Sequence, residues 1–197
     1  MSEVTFFGAN MSSPVAAIIG VFNYYKLLGL AHFKVWNSGQ EIPSGFDSDD
    51  RVLVYLYTHQ TLRTYHYKSL NSVLRGEFHP HSTQLLCLAN LLNQALSKLP
   101  PLPGTFTRVT YLNLSALLHH PVGAVVCYDA FTSTSLRHMP VRGHSVRYTI
   151  YGKTGRHIAK FSRFPREEEV LFLAGTSFRV LQVDMKPDIT HLIMEEL

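Results

Sequence analysis

The sequence predicts an α+β fold, with an N-terminal helical lobe followed by a mainly β part. Three observations carry this. The first hundred residues place apolar side chains at three- and four-residue steps. The remainder breaks into short segments rich in Val, Ile, Tyr, Phe and Thr, separated by Gly or Pro. Helices precede strands instead of alternating with them, which excludes repeated βαβ units. A chain of 197 residues suits a single domain. Residues 1–100 read as mainly helical and 101–197 as mainly β.

In order, the first ten residues read as a loose terminus and residues 14–34 as helix. "NSGQEIPSGFDSDD" is a turn-rich acidic loop, whose Asp49 or Asp50 can cap the helix starting at "RVLVYLYTHQTL". "YKSLNSVLRG" is a short amphipathic helix stopped by Gly76. "TQLLCLANLLNQALSKL" is the clearest helix, with Ser82 as its cap and "PPLPG" as its end. Strands are expected at "GTFTRVTYL", "GAVVCYDAFTSTS", "SVRYTIYG", "RHIAKFS", "EVLFLAG", "SFRVLQVDM" and "THLIMEEL". The segment "YGKTGRH" lacks the upstream glycine of a phosphate-binding loop and reads as a hairpin turn between two of them.

Composition narrows the function classes. No apolar run reaches a membrane span, and the apolar piece "PVAAIIGVFNYYKLLGLAHF" has neither the basic lead of a signal peptide nor an unbroken core. Cys87 and Cys127 lie in apolar surroundings and read as buried free thiols of a reducing compartment. Eight basic residues and no acid occupy the stretch from Arg137 to Arg166. That stretch is a solvated face, a site for a phosphate-bearing ligand or a surface for an acidic partner. Nucleic acid fits least, because no binding motif accompanies the charge. His79, His81, His119 and His120 lack the spacing of a metal site, so none is expected. No dinucleotide fingerprint follows a strand, and no nucleophile elbow is present.

Three weak signals remain. In "FPREEEVLFLAG", side chains of an extended chain alternate, so Glu167 and Glu169 share a face and Glu168 points away as a solvated spacer. A charged turn that blunts a strand edge explains the same run. In "DAFTSTSL", Ser133 and Ser135 share a face opposite Thr134, and such hydroxyls either mark a turn or hold a carboxylate in one rotamer. Arg108 stands alone in a Thr, Val, Phe and Tyr strand, where it needs a partner or a ligand.

Taken in order, Arg108, the Thr-Ser-Thr-Ser strand and Glu-x-Glu leading into "VLFLAGTSFRVL" resemble the arginine–serine–glutamate class of mono-ADP-ribosyltransferases. The resemblance runs from about Asp50 to Val183 and is densest in "SRFPREEEVLFLAGTSFRV". Residues 1–48 have no counterpart in it. It implies a mixed, mainly antiparallel two-sheet core around a cleft for NAD, used as co-substrate without a metal. The reaction would transfer ADP-ribose from NAD to a protein side chain. By the match Glu169 is the catalytic carboxylate at the nicotinamide ribose, Ser133 holds it, and Arg108 binds the diphosphate side. Glu167 prepares the acceptor, and Phe164 with Glu167 meets the target protein. Thr134, Ser135 and Arg137 are further NAD-binding candidates, with Arg142 and Arg147 as rivals of Arg137 for a second phosphate contact. Two departures stand out: Val109 follows the arginine where many members have Gly, and "LRHMPVRGHS" offers no aromatic to stack on nicotinamide.

Glu-x-Glu in this class implies arginine as acceptor, with a hydroxyl such as threonine on ubiquitin as an exception. The resemblance also implies a monomeric bacterial toxin or effector that modifies a host protein in the host cytosol and touches neither nucleic acid nor membrane. An NAD glycohydrolase on the same scaffold and a decayed binding module are the rival readings.

Overall fold

The computed structural model describes residues 13–38, 41–59, 62, 64–112, 114–138, 146–186 and 189–197. The expectation for the first ten residues therefore lies outside the described part, as does Arg142. The first helical stretch is two helices, α1 (Pro14–Ile19) and α2 (Val21–Ser38), split by Gly20 at φ 85°. The lobe continues with α3 (Ser48–Thr58), α4 (Tyr67–Leu74) and α5 (Ser82–Ser97).

Capping differs in detail from expectation. Asp47, not Asp49 or Asp50, caps α3, and Asp50 completes a reciprocal capping box with it. Asp50 also receives Lys98 Nζ at 2.8 Å, tying α3 to the end of α5. Asp49 accepts from Ser13 at 2.8 Å and from Tyr24 at 2.5 Å, which anchors α1 and α2. The acidic loop is thus a structural clasp. Ser82 is the first residue inside α5, its hydroxyl donating back to His79 O at 2.6 Å.

The "PPLPG" run does not end in a loop. Strand β1 (Pro101–Thr110) begins within it. The chain then forms α6 (Leu114–Leu118), β2 (Val125–Tyr128), β3 (Thr132–Ser135), β4 (Val146–His157), β5 (Glu169–Phe172), β6 (Thr176–Met185) and β7 (Thr190–Glu196). The strands hydrogen-bond in the order β1-β3-β5-β4-β7-β6-β2, with β1 also paired to β4. All pairings are antiparallel except β4 with β7. The mixed, mainly antiparallel core is as expected, and the two expected sheets join into one hydrogen-bonded network where β5 bonds to both β3 and the end of β4.

The "YGKTGRH" hairpin does not exist: β4 runs through it unbroken. Its glycines serve packing instead of turning. A Cβ on Gly152 would stand 2.6 Å from Phe172 and 2.7 Å from Phe106, and one on Gly155 would stand 2.5 Å from Val170. Two buried rings occupy the space a side chain would need. "RHIAKFS" is correspondingly the end of β4 followed by a 3₁₀ turn at Ala159–Phe161.

Two apolar cores result, one in the helical lobe (Val52, Leu88, Leu92, Phe161) and one under the sheet (Phe106, Ile150, Phe178, Leu192). β5 belongs to both. Leu171 packs into the lobe while Val170 and Phe172 pack into the sheet core, and all three are fully buried. That is why its sequence reads as a continuous apolar run. Cys87 and Cys127, expected inside, are exposed. Cys87 falls on the outer face of α5, and Cys127 alternates outward on β2.

Replacing Gly152 by Ala is expected to destabilise the protein by about 1–3 kcal/mol, because Phe106 and Phe172 must leave their packed positions. A lowered urea midpoint with unchanged slope would show it, and an unchanged midpoint would refute the packing role.

Candidate active site

β5 begins with its single acid. Glu169 shares the face of Leu171, so strand alternation sends its carboxylate towards the lobe. The register puts Thr107, Ser135 and Glu169 in a row across β1, β3 and β5. Ser133, one diagonal step along, donates its hydroxyl to Glu169 Oε1 at 2.5 Å. Arg108 Nη1 donates to the Ser133 carbonyl at 2.7 Å, so the arginine braces the strand that braces the glutamate.

Glu167 and Glu169 reach one cavity, but not by strand alternation. Pro165–Glu167 is a 3₁₀ turn, and Glu168 adopts the left-handed conformation at φ 48° before β5 starts. That reversal aims both neighbours into the cavity. Glu168 itself is more than a solvated spacer: His157 Nε2 lies 3.0 Å from its carboxylate. Ser135 closes the turn from below, donating to Glu167 O at 2.6 Å.

The cavity has a volume of about 390 Å³ between lobe and sheet. Arg108, Ser133, Thr134, Ser135, Phe164, Glu167 and Glu169 all line it, so seven expected site residues converge. The Thr134 hydroxyl is committed to Val170 O at 2.7 Å. Arg137 is exposed beside the cavity, its backbone held by Ser135 Oγ at 2.9 Å and by the Thr107 hydroxyl at 2.5 Å. Val109 lines the wall where many members of the resembled class carry Gly. Phe164 is 42% exposed at the mouth under the Arg163 guanidinium, and Arg163 N donates to Thr58 Oγ1 at 3.0 Å. The basic stretch disperses: Lys160 bonds Glu41 O and Arg156 bonds Leu96 O.

Sequence reasoning missed the lobe's share of the wall, namely Tyr57, Thr58 and Tyr67. Tyr57 accepts from Asn71 Nδ2 at 3.3 Å, and Asn71 Oδ1 accepts from Phe131 N at 3.2 Å, a bridge from lobe to serine strand. The available signal was a Tyr-Thr pair ending a helix that is buried from Asp50 to Thr58. Burial, reinforced by the Glu169 charge, holds the Tyr57 phenol well above its ordinary value, so it stays a donor. A second groove of about 470 Å³, lined by Lys68, Arg75, His79 and Arg108 among others, adjoins the first through Tyr67 and Arg108.

Burial pushes the Glu169 carboxyl up to about 7, with the neighbouring Glu167 charge adding to it. The Ser133 hydrogen bond and the Arg108 charge pull it down. The site can thus hold an anion against a cationic centre, bind a diphosphate on its arginine side, and offer an exposed carboxylate at its mouth. No cluster of metal-ligating groups exists among the described residues.

A family model described as NAD:arginine ADP-ribosyltransferase matches residues 30–197. The NAD(+)–protein-arginine ADP-ribosyltransferase Tre1 of Serratia proteamaculans (strain 568) is 30% identical over 151 residues, covering 76% of this chain. The protein of the same name from Pseudomonas putida (strain GB-1) is 35% identical over 133 residues, covering 66%. This chain spans 32% and 26% of those relatives' lengths. Among solved structures, the ADP-ribosyltransferase Vis of Vibrio splendidus in complex with agmatine superposes with a TM-score of 0.66. The superposition covers 88% of this chain and 85% of that one at 24% identity, and so shows the shared fold.

Between 4.5 and about 7 the folded protein keeps a proton on Glu169 that the unfolded chain releases, so this group lowers stability as pH rises through that window. Glu169→Gln is therefore expected to be more stable than wild type at about pH 8, by on the order of 3 kcal/mol. The gain should vanish below about pH 4.5 in urea titrations, and a pH-independent difference would refute the buried-charge account.

Proposed function

This chain belongs to the NAD:arginine ADP-ribosyltransferase family, and from that membership we propose that it transfers ADP-ribose from NAD to an arginine of a target protein. The observation that carries the reading is the Ser133–Glu169 hydrogen bond facing the same cavity as Glu167 and Arg108. In the proposed reaction the glycosidic bond of NAD breaks, its electron pair leaving with nicotinamide. Positive charge develops on the ribose, and the Glu169 anion stabilises it while accepting from a ribose hydroxyl. Ser133 keeps that carboxylate in one rotamer. Arg108, lying between the two cavities, holds the diphosphate, and the groove of Lys68 and Arg75 takes the remainder of the nucleotide.

Glu167 is exposed at the mouth, where an incoming side chain arrives. A guanidinium stays protonated in water, so the acceptor nitrogen needs a carboxylate to orient it and take its proton as the new C–N bond forms. Agmatine, bound by Vis, carries the same guanidinium, which supports arginine over a hydroxyl acceptor. Phe164, with the Arg163 guanidinium over its ring, gives the target an apolar contact beside Glu167. Free, exposed thiols suit a reducing compartment, in keeping with action on a host or target cell's cytosolic protein.

Incubation with labelled NAD and a target-cell lysate, followed by mass spectrometry, is expected to place the label on arginine. A label on threonine would move the acceptor to a hydroxyl. Glu167→Gln should lose transfer while retaining much of the NAD hydrolysis, and Glu169→Gln should lose both by about 10²–10³-fold. Full activity of Glu169→Gln would overturn the assignment, and absence of NAD binding by wild type would reduce the chain to a binding module. The rate of NAD cleavage should climb as pH rises through about 7, where Glu169 ionises.

A further inference from the structure

Helix α2 takes no part in the cavity, yet it carries the most exposed aromatic surface of the described residues. Phe22 is 81% exposed, Tyr25 41%, Phe33 65% and Trp36 86%. Their numbers are symmetric about Gly29: Phe22 and Trp36 lie seven residues either side of it, Tyr25 and Phe33 four either side. At about 100° per residue all five positions fall within a stripe roughly 80° wide, with Gly29 on its midline. Gly29 also lies at the middle of the 18-residue helix, and nothing stands within 4 Å of where its Cβ would be. Glycine weakens a helix interior relative to alanine. Here the space it leaves is unused by this chain.

We propose that α2 is a self-association face, on which a second copy of this chain packs its own α2 antiparallel across a two-fold axis at Gly29. A two-fold contact between like helices sets residue 29 + n of one copy against residue 29 − n of the other. Trp36 then meets Phe22 of the partner, and Phe33 meets its Tyr25, twice over. Glycine at the crossing lets the backbones approach to the 8–10 Å of packed helices. A neighbouring groove of about 440 Å³, lined by Phe33, Trp36, Val35 and Ile42 with His32 and Arg51, would receive the partner's Phe22 ring in this arrangement. The flanking pair is compatible: Lys26 faces His32, whose Nδ1 accepts from Arg51 Nη1 at 3.1 Å and so is not a protonated nitrogen.

The area is sufficient for a reversible dimer. Weighted by exposure, the four rings offer about 600 Å² per copy, or about 1,200 Å² for the pair, at the lower edge of specific interfaces. No α2 residue lines the cavity, so the dimer leaves it open. The proposal departs from the monomer that the resemblance implies.

Sedimentation velocity on the wild-type chain up to about 100 µM should show a concentration-dependent dimer, with an affinity near the micromolar range. Trp36→Glu and Phe22→Glu should each remain monomeric while keeping wild-type NAD cleavage. In a background with Cys87 and Cys127 changed to Ser, Gly29→Cys should oxidise to a disulfide-linked dimer. Phe22→Cys should cross-link with Trp36→Cys but not with itself, and Phe22→Cys self-linking would overturn the antiparallel geometry. A wild-type chain monomeric throughout the range would overturn the proposal, as would α2-dependent binding to anionic lipid vesicles without self-association.

Discussion

A carboxylate placed inside a protein must be solvated by the protein, and the structure around Glu169 answers to that requirement. Its side chain starts a strand buried on both faces, so water cannot supply the missing interactions. One short hydrogen bond from Ser133 and the nearby charge of Arg108 do so in part. Both come from neighbouring strands whose register is set by the sheet, and Arg108 in turn grips the backbone of Ser133. The three groups are one mechanical unit. Disturbing any strand of the β1-β3-β5 row displaces the carboxylate.

The incomplete compensation suits the proposed reaction. Burial outweighs the two favourable contacts and leaves Glu169 less acidic than an ordinary carboxyl. An anion held at that cost gains most when a cationic centre forms beside it, as the proposed cleavage of the nicotinamide–ribose bond would require. Glu167 stands outside this constraint because it is exposed at the mouth. The division of labour we propose follows from solvent access: the dry carboxylate is suited to charge developing in the sugar, the wet one to the acceptor. The left-handed residue between them, Glu168, makes the two environments possible within three consecutive positions.

The helical lobe supports the same unit from the other side. Its core shares Leu171 with the sheet, and its Tyr57–Asn71 bridge reaches the backbone of Phe131 at the start of the serine strand. The cavity is therefore an interface between two cores, and neither core alone builds its walls. The outer surface of the lobe, on α2, carries aromatic side chains that contribute nothing to this wall.

The sequence by itself determined the α+β order, the helical lobe, the mainly antiparallel core and the membership of Arg108, Ser133, Glu167 and Glu169 in one site. The first two follow from periodicity and element order, the last two from the resemblance of the motifs to the arginine–serine–glutamate class. It misjudged features whose cause is distant in the chain. Gly152 and Gly155 look like turn residues until Phe106 and Phe172 over the first, and Val170 over the second, are seen to fill the space above them. Glu167 and Glu169 share a cavity because a 3₁₀ turn and a left-handed residue reorient them, not because a strand alternates. Cys87 and Cys127 sit among apolar neighbours in sequence yet face outwards, since burial depends on which side of the element meets the core. Only the tertiary structure decided that Tyr57 and Thr58 complete the wall and that Glu169 is dry. Burial and contact are sums over residues far apart in sequence, and no local pattern contains them.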